Sequence, residues 1–544
     1  MTKAARLSRR TVRGPILPRW VLLAAALICV VTVHAFAVVL PFDDAYIIFR
    51  YVDNFLEGEG AVYNPGERVF GISSPLFALW LAALRGILPV FELPALAAWG
   101  NALLLAVCGI LVCLLSGRLG AGPLLAEAVA AAVVLSEGIL RVSIGGMEAP
   151  LYLALMTGCL LALVERRHTL AVLAASLACL ARPEGALLVL IAVAAVFLDR
   201  ERTRREALKV VMVGLIPIVL WVVAAAWYYG TPIPHSIVAK ARPLYPLIPG
   251  TAFQEIILRS GRWALDGVHI LGLALDGHGG ADAALKRPIG IKVLGWTGTV
   301  VLLLVFVKWL RPVQWREGVR FLALPVYFLA LTAGYSISNP LLLLWYFPLI
   351  QAPLLILSLV PGPQPLRGKP WRWAGGVVSA LLLTTAVVTF VAHLLPSHWS
   401  LLRYGGDNAA RKLQMESFER AAQWVGENSL EDQTVAAPEI GILGYRLDRR
   451  ILDSCGLISP EAIPFIPTPA SERGSEIVVM PRGFVQAIRP DFIVSLPPFI
   501  APNLTADAWF GAEYTKVHEI PCIPHNPRFR GVMIYKRGNG AAGS

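Results

Sequence analysis

The chain has 544 residues, of which 56% are hydrophobic and only 15% charged, with a mean hydropathy of +0.63. A soluble protein of this length could not bury so much apolar surface, so the composition selects a polytopic membrane protein and excludes a soluble enzyme. The formal charge of +12 collects in short clusters between apolar runs, with no basic stripe interleaved with aromatics, so it implies no nucleic-acid partner.

Residues 1–19 form a basic, Pro-containing N-terminus with Lys3, Arg6, Arg9, Arg10, Arg13 and Arg19. Trp20 to Leu40 follow without a formal charge and are long enough to cross a bilayer, which takes about 20 residues at helical rise. The run is too long for a cleavable signal, although Ala35-Phe36-Ala37 has the Ala-x-Ala form of a cleavage site. A first loop, 41–73, then carries the adjacent acids Asp43 and Asp44. Two neighbouring carboxylates at a membrane surface repel each other unless a cation, a proton or a reacting hydroxyl offsets the repulsion. The plainer alternative is that Asp44 caps a helix starting near Ala45.

Further apolar runs lie near 94–116, 122–140, 148–164, 169–181, 184–198, 207–228, 289–307, 319–337, 341–360 and 374–395, giving eleven spans with 20–40. Residues 74–91 make a twelfth candidate. Leaving 74–91 out places every later Lys/Arg cluster (166–167, 200–209, 308–320, 367–372) on the same side as the N-terminus. The positive-inside rule therefore makes 74–91 an interfacial or re-entrant helix. The N-terminus is then cytoplasmic. The loops 41–73 and 229–288, the turns near 141–147 and 182–185, and a soluble domain at 396–544 lie outside, with 20–395 as the membrane domain. In the tail, 476–480 and 491–496 read as strands and 415–428 as an amphipathic helix, which gives an α/β or α+β domain. Cys455 and Cys522 both fall there, and no spacing motif decides whether they form a disulfide.

The polar motifs interrupting the apolar background all fall on the outer side: the Asp43-Asp44 loop, GGMEAPLY (145–152), ARPEG (181–185), YYGTPIPHSIVAK (228–240) and LLWYFPL (343–349). Each has a plain reading. Arg182 and Glu184 could be a turn with an ion pair, Glu148 a carboxylate at a helix N-terminus, His235 structural, Lys240 a solvated charge, and Tyr346 an interfacial aromatic. Clustering on one side favours a substrate path. A carboxylate can take a proton from a sugar hydroxyl, and Arg or Lys can hold a phosphate leaving group. If a helix begins near Asp44, then Asp43, Tyr46 and Arg50 share a face, and Arg50 would hold Asp43 ionised.

The stretch DDAYIIFRYVDNFLEGEGAVYNPGERVFGISSPL resembles the first outer loop of bacterial GT-C glycosyltransferases, polytopic enzymes that use polyprenyl-phosphate sugars. With Gly146-Met147-Glu148, Arg182-Pro183-Glu184-Gly185 and Tyr228 to Lys240, the nearest pattern is the branch related to mycobacterial terminal arabinofuranosyltransferases. The resemblance implies a multi-pass enzyme of the bacterial plasma (inner) membrane with a GT-C-like fold of about eleven transmembrane helices plus the interfacial helix. It implies Asp43 as the catalytic base, supported by Asp44, which alternatively binds a divalent cation (Mg or Mn). Tyr46, Arg50, Glu148, Arg182, Glu184, His235, Lys240 and Tyr346 are the expected substrate-binding residues. His235 stands where typical relatives have Asn. The expected reaction is an inverting sugar transfer from a polyprenyl-phosphate donor to a glycan, lipid or protein acceptor. The alternative is a transporter or flippase of a polyprenyl-linked saccharide, which would need charges through the bundle and pseudo-symmetric halves.

Overall fold

Pro, Gly and charge punctuation divide the apolar part of the chain into helices. The structure, a computed structural model, describes residues 20–36, 40–199, 201–242, 244–257, 309, 319–362, 405–474, 476, 478–522 and 529–538. In order come α1 Val21–Phe36, α2 Asp43–Glu57, α3 Pro75–Ile87, α4 Leu93–Arg118, α5 Pro123–Val134, α6 Glu137–Ile144, α7 Ala149–Val164, α8 His168–Ala181, α9 Gly185–Leu198, α10 Arg204–Gly214, α11 Ile216–Tyr229 and α12 His235–Ala241. Then follow α13 Ala323–Ser338 and α14 Phe347–Leu359, and, in the C-terminal domain, α15 Gly405–Asn428 and α16 Gly441–Arg446.

By length and composition, α4 crosses a bilayer unaided, and α5–α6 and α10–α11 do so if each bent pair counts as one span. The run 122–140 is thus two helices with a break at Leu135–Ser136, and 207–228 bends by 48° at Leu215, where Pro217 opens the second helix. The expected spans 289–307 and 374–395, and the boundary near 396, lie outside the described residues. The segment 74–91 folds as α3, a 13-residue helix opened by Pro75, half the length of α4.

The two ends of the bundle differ chemically. At one end Arg118 and Arg167 bind Glu165, Arg166 pairs with Glu201, and His168 bonds Asp199 at 2.8 Å. The other end carries α2, the Gly145-Gly146 turn, the 182–184 turn and the C-terminal domain.

That domain holds a five-stranded sheet in the order β2-β1-β3-β5-β4, with β1 Thr434–Ala437, β2 Arg450–Asp453, β3 Phe492–Ser495, β4 Tyr514–Pro521 and β5 Gly531–Arg537. Strands β2, β1 and β3 run parallel and β5 and β4 antiparallel, so the domain is of mixed α/β type. The segment 415–428 is helical within α15 and 492–495 is a strand, as expected. The run 476–480 carries no strand at its described residues. Val479 and Met480 are buried there as a loop, and the Met480 N–H donates to Phe499 O at 2.8 Å. Pro481 follows directly and cannot donate to a ladder. Cys455 and Cys522 are both free thiols.

Candidate active site

Helix α2 begins at Asp43, two residues before the expected start. Phe42 occupies the N-cap without a side-chain bond, so Asp44 does not cap the helix. The acids lie in the first turn, where carboxylates offset the helix macrodipole. Successive helical residues point about 100° apart, so the two acids face different neighbours.

Asp43 faces the C-terminal domain. Its Oδ2 accepts the Gly441 N–H at 2.8 Å and its Oδ1 the Ile442 N–H at 2.9 Å, at the start of α16. Arg50, two turns along α2 and buried, holds the opposite end. Its Nη1 donates to the carbonyls of Gly444 and, at 3.0 Å, Leu447, its Nη2 to Arg449 O at 3.0 Å, and its Nε to Tyr63 O at 2.7 Å. The expected face is therefore real, but Arg50 does not hold Asp43. The two clasp a six-residue helix, about 9 Å long, between a carboxylate at its N-terminus and a guanidinium at its C-terminus. Tyr46 packs its ring 5.3 Å from Tyr445 in the same interface. Two glycines on one face of α16 permit the approach: a Cβ at Gly441 would stand 1.9 Å from Asp43 O, and one at Gly444 1.7 Å from Tyr63 Oη.

Asp44 faces Lys240 instead. Burial pushes its carboxyl up to about 6, with Lys240 pulling against the rise and Asp43 and Glu148 adding to it. Lys240 projects from α12. Burial works to lower its ammonium, but Tyr346 and Asp44 hold it above the ordinary lysine range. The Lys240 side chain is reached by solvent. Tyr245 and Asp453, at the end of β2, also feel the Asp44 charge. Asp453 ends β2; burial raises its carboxyl to about 6 even though the N–H groups of Cys455 (2.8 Å), Leu457 (2.5 Å) and Ile458 (3.2 Å) donate to it. Glu439 follows β1. Burial, with Asp43 adding, pushes it up to about 8, while Gln414 donates to its Oε1 at 2.9 Å. Ligands of parallel sheets bind beyond the carboxyl ends of the strands, where these acids stand.

The 182–184 turn is a closed ion network. Arg182 gives Nη1 to Glu148 at 2.5 Å, and Nη2 and Nε to Glu184 at 3.0 and 3.1 Å. Tyr335 donates to Glu184 at 2.6 Å, and the guanidinium stacks 5.1 Å from the Tyr346 ring centre. Burial works to raise the Glu184 carboxyl, but Arg182 and Tyr335 hold it below the ordinary carboxylate range. Arg182 therefore directs its donors to partners within the protein. The backbone N–H of His235 donates to Phe70 O at 2.6 Å; burial lowers its imidazole, with Glu461 opposing. Among the described residues no three His, Cys, Asp or Glu side chains converge to hold a metal. The charge that faces Asp44 is the Lys240 ammonium.

Asp44, Glu148, Lys240 and Tyr346 are thus brought together, while Asp43, Tyr46 and Arg50 form the seam with the C-terminal domain. Sequence reasoning missed Glu439, Asp453, Tyr335 and the Gly441/Gly444 face. For that face GILGYRL carries the only local signal, two glycines at a spacing of three, which places both on one side of a helix.

A family described as a domain of unknown function (DUF8728) matches residues 407–535, the C-terminal domain. No curated protein matches the chain. Among solved structures the chain is similar to the archaeal oligosaccharyltransferase AglB from Archaeoglobus fulgidus in complex with an inhibitory peptide and a dolichol-phosphate. Identity is 12%, over 96% of this chain and 74% of that one, with a TM-score of 0.53. It is also similar to ArnT from Cupriavidus metallidurans bound to undecaprenyl phosphate, with 12% identity over 96% and 98% of the two chains and a TM-score of 0.54. The chain shares its fold with these two proteins.

Proposed function

We propose that the chain is a membrane glycosyltransferase moving a sugar from a polyprenyl-phosphate donor to a glycan, lipid or protein acceptor on the outer side of a bacterial plasma membrane. The observation that carries this reading is the cluster in which Lys240 interacts with both Asp44 and Tyr346, beside Asp453 at the end of β2, on a fold shared with the two lipid-phosphate-bound proteins. Both neighbours bear a polyprenyl-type phosphate in their described complexes.

Asp44 takes the role of general base. It removes the acceptor hydroxyl proton, the acceptor oxygen bonds the anomeric carbon, and the bond from that carbon to the phosphate oxygen breaks. The polyprenyl phosphate leaves with the bonding pair, so a single displacement inverts the anomeric centre. Lys240 offsets the negative charge gathered beside Asp44. Asp43 has both oxygens engaged by N–H groups and positions α16 against α2, so although burial raises its carboxyl as well, its lone pairs are turned to the seam and away from Lys240. The arabinofuranosyl donor rests on the sequence motifs alone.

The test is a transfer assay with a panel of polyprenyl-phosphate sugars on purified protein in nanodiscs. Turnover of at least one donor, abolished in Asp44→Asn, supports the reading. A folded protein that transfers none of them would sink it. With Lys240 as the cation facing Asp44, EDTA should leave that turnover unchanged, and loss restored by Mg or Mn would return Asp44 to a ligand role.

A further inference from the structure

Asp44 and Glu148 are both anchored to the connection between α6 and α7. The Gly145 carbonyl accepts the Phe42 N–H at 2.9 Å, and Phe42 is the N-cap of the helix that carries Asp43 and Asp44. Gly146, at φ +74°, lets the connection lie against that helix, since a Cβ there would stand 3.1 Å from the Phe49 ring and 3.5 Å from Ala45 Cβ. Glu148 ends the connection as the N-cap of α7, with its carboxylate on Arg182. Its charge adds to the rise of the Asp44 carboxyl, so the two acids are close enough to interact. Whatever fixes residues 143–147 therefore fixes where Asp44 stands against Glu148 and Lys240.

A single side chain on α4 does this. Asn101, fully buried, donates through Nδ2 to Ser143 O and to Met147 O, each at 2.9 Å. It bridges the last turn of α6 and the residue before Glu148. The Ser143 hydroxyl is held separately by His34 of α1, whose Nε2 lies 2.9 Å from Oγ. A cap for α6 alone would not need Asn101. The Gly146 N–H already donates to Ser143 O at 3.2 Å and the Met147 N–H to Val142 O at 3.3 Å, the usual closure by a left-handed glycine. The bond to Met147 O lies beyond that closure, on the way to Glu148. The Asn101 Oδ1 is buried without a hydrogen-bond partner, so the side chain serves as a donor only. An amide with an orphaned oxygen is costly in a helix that crosses the bilayer, and an apolar residue would fill the place at less cost unless the two donated bonds matter.

We propose that Asn101 is a positioning residue, which holds the 143–147 connection so that Asp44 faces Lys240. The proposal rests on the glycosyltransferase reading only for its consequence in turnover. The placement itself can be read on Lys240 whether or not sugar is transferred.

The experiment acetylates the full chain in nanodiscs with acetic anhydride at pH 9 and follows Lys240 by mass spectrometry. Only the neutral amine reacts, and Asp44 favours the ammonium, so Asp44→Asn should label Lys240 severalfold faster. Asn101→Leu, of similar size and without donors, should do the same. In the double variant the Asn101 change should add nothing, because the charge it positions is gone. A looser fold would instead expose Lys240 in either background, so the non-additivity separates positioning from a merely structural role. Where transfer is measured, Asn101→Leu should lower kcat about ten- to hundredfold with KM nearly unchanged, the scale of a small misplacement of a reacting group. Wild-type labelling of Lys240 in folded Asn101→Leu overturns the proposal, and so does an equal acceleration in the Asp44→Asn background. If Asn101→Leu does not fold, Asn101→Asp, which can donate at most one of the two bonds, is held to the same criteria. A wild-type protein that transfers no sugar defeats the function and leaves the labelling result standing. Transfer at wild-type kcat in folded Asn101→Leu overturns the proposal and spares the function.

Discussion

Asp43→Asn and Asp44→Asn should fail in different ways, and the pair of variants separates a seam from a base. Asp44 is half-buried, and its carboxyl sits near 6 because burial outweighs Lys240. A base must be ionised, so kcat/KM should climb about tenfold per pH unit below 6 and level off above it. Removing a general base typically costs ~10²–10⁴-fold, so Asp44→Asn should lose about that much activity and flatten the acidic limb. Its melting temperature should not fall. The group is raised from an ordinary value near 4, so its favourable contribution to folding is complete below pH 4 and is lost as pH rises through 6. Above pH 6 the neutral amide removes a destabilising charge.

Asp43→Asn replaces a carboxylate that accepts two amides with a group whose single carbonyl oxygen faces both, and an NH2 that meets a donor. Leaving one buried N–H unsatisfied costs about 1–3 kcal/mol. The seam should loosen, with a lower melting temperature and the acidic limb of the pH profile intact. Steady-state kinetics against pH, paired with thermal unfolding in the same nanodiscs, read both effects. A stable Asp43→Asn enzyme without its acidic limb, beside an Asp44→Asn enzyme of ordinary turnover, would refute the assignment.

Gly441→Ala should undock α16, because its Cβ has no space beside Asp43 O, and faster proteolysis of the C-terminal domain would report it. Arg182→Ala leaves two buried acids unpaired and should destabilise the protein by about 3–5 kcal/mol. A donor-specific KM defect with wild-type melting would instead restore the substrate-binding role that sequence reasoning gave it. Glu439→Gln should raise the melting temperature above pH 8 and not below pH 4.5, since burial opposes ionisation of the glutamate between those values. Reporter fusions after residues 60 and 240 should report the outer side and one near 204 the inner side; an inner signal at 60 would invert the proposed site.

The helical membrane class and the acids at 43, 44, 148 and 184 were legible because ionisable groups stand out in an apolar background. Helical spacing also placed Asp43, Tyr46 and Arg50 on one face. What occupies that face was not legible: the partners of Asp43 and Arg50 lie at Gly441, Ile442, Gly444, Leu447 and Arg449, almost 400 residues further on. No periodicity spans that distance. Strands β1 and β2 were missed because TVAA and RILD, at four residues each, are too short for an alternating pattern to show.

The two acids still had to differ, for a reason that helical geometry alone supplies. Adjacent residues of a helix are turned about 100° from each other, so a neighbour able to take both oxygens of one acid cannot take those of the next. The choice between them depends on which residue lies two full turns before Arg50, since a clasp on a six-residue helix needs an acid and a base about 10 Å apart along α2. Asp43 meets that spacing and Asp44 does not. Asp43 is therefore committed to the seam, and Asp44 is turned toward Lys240 with its charge incompletely offset. A general base that is to work near neutral pH has to be in that condition.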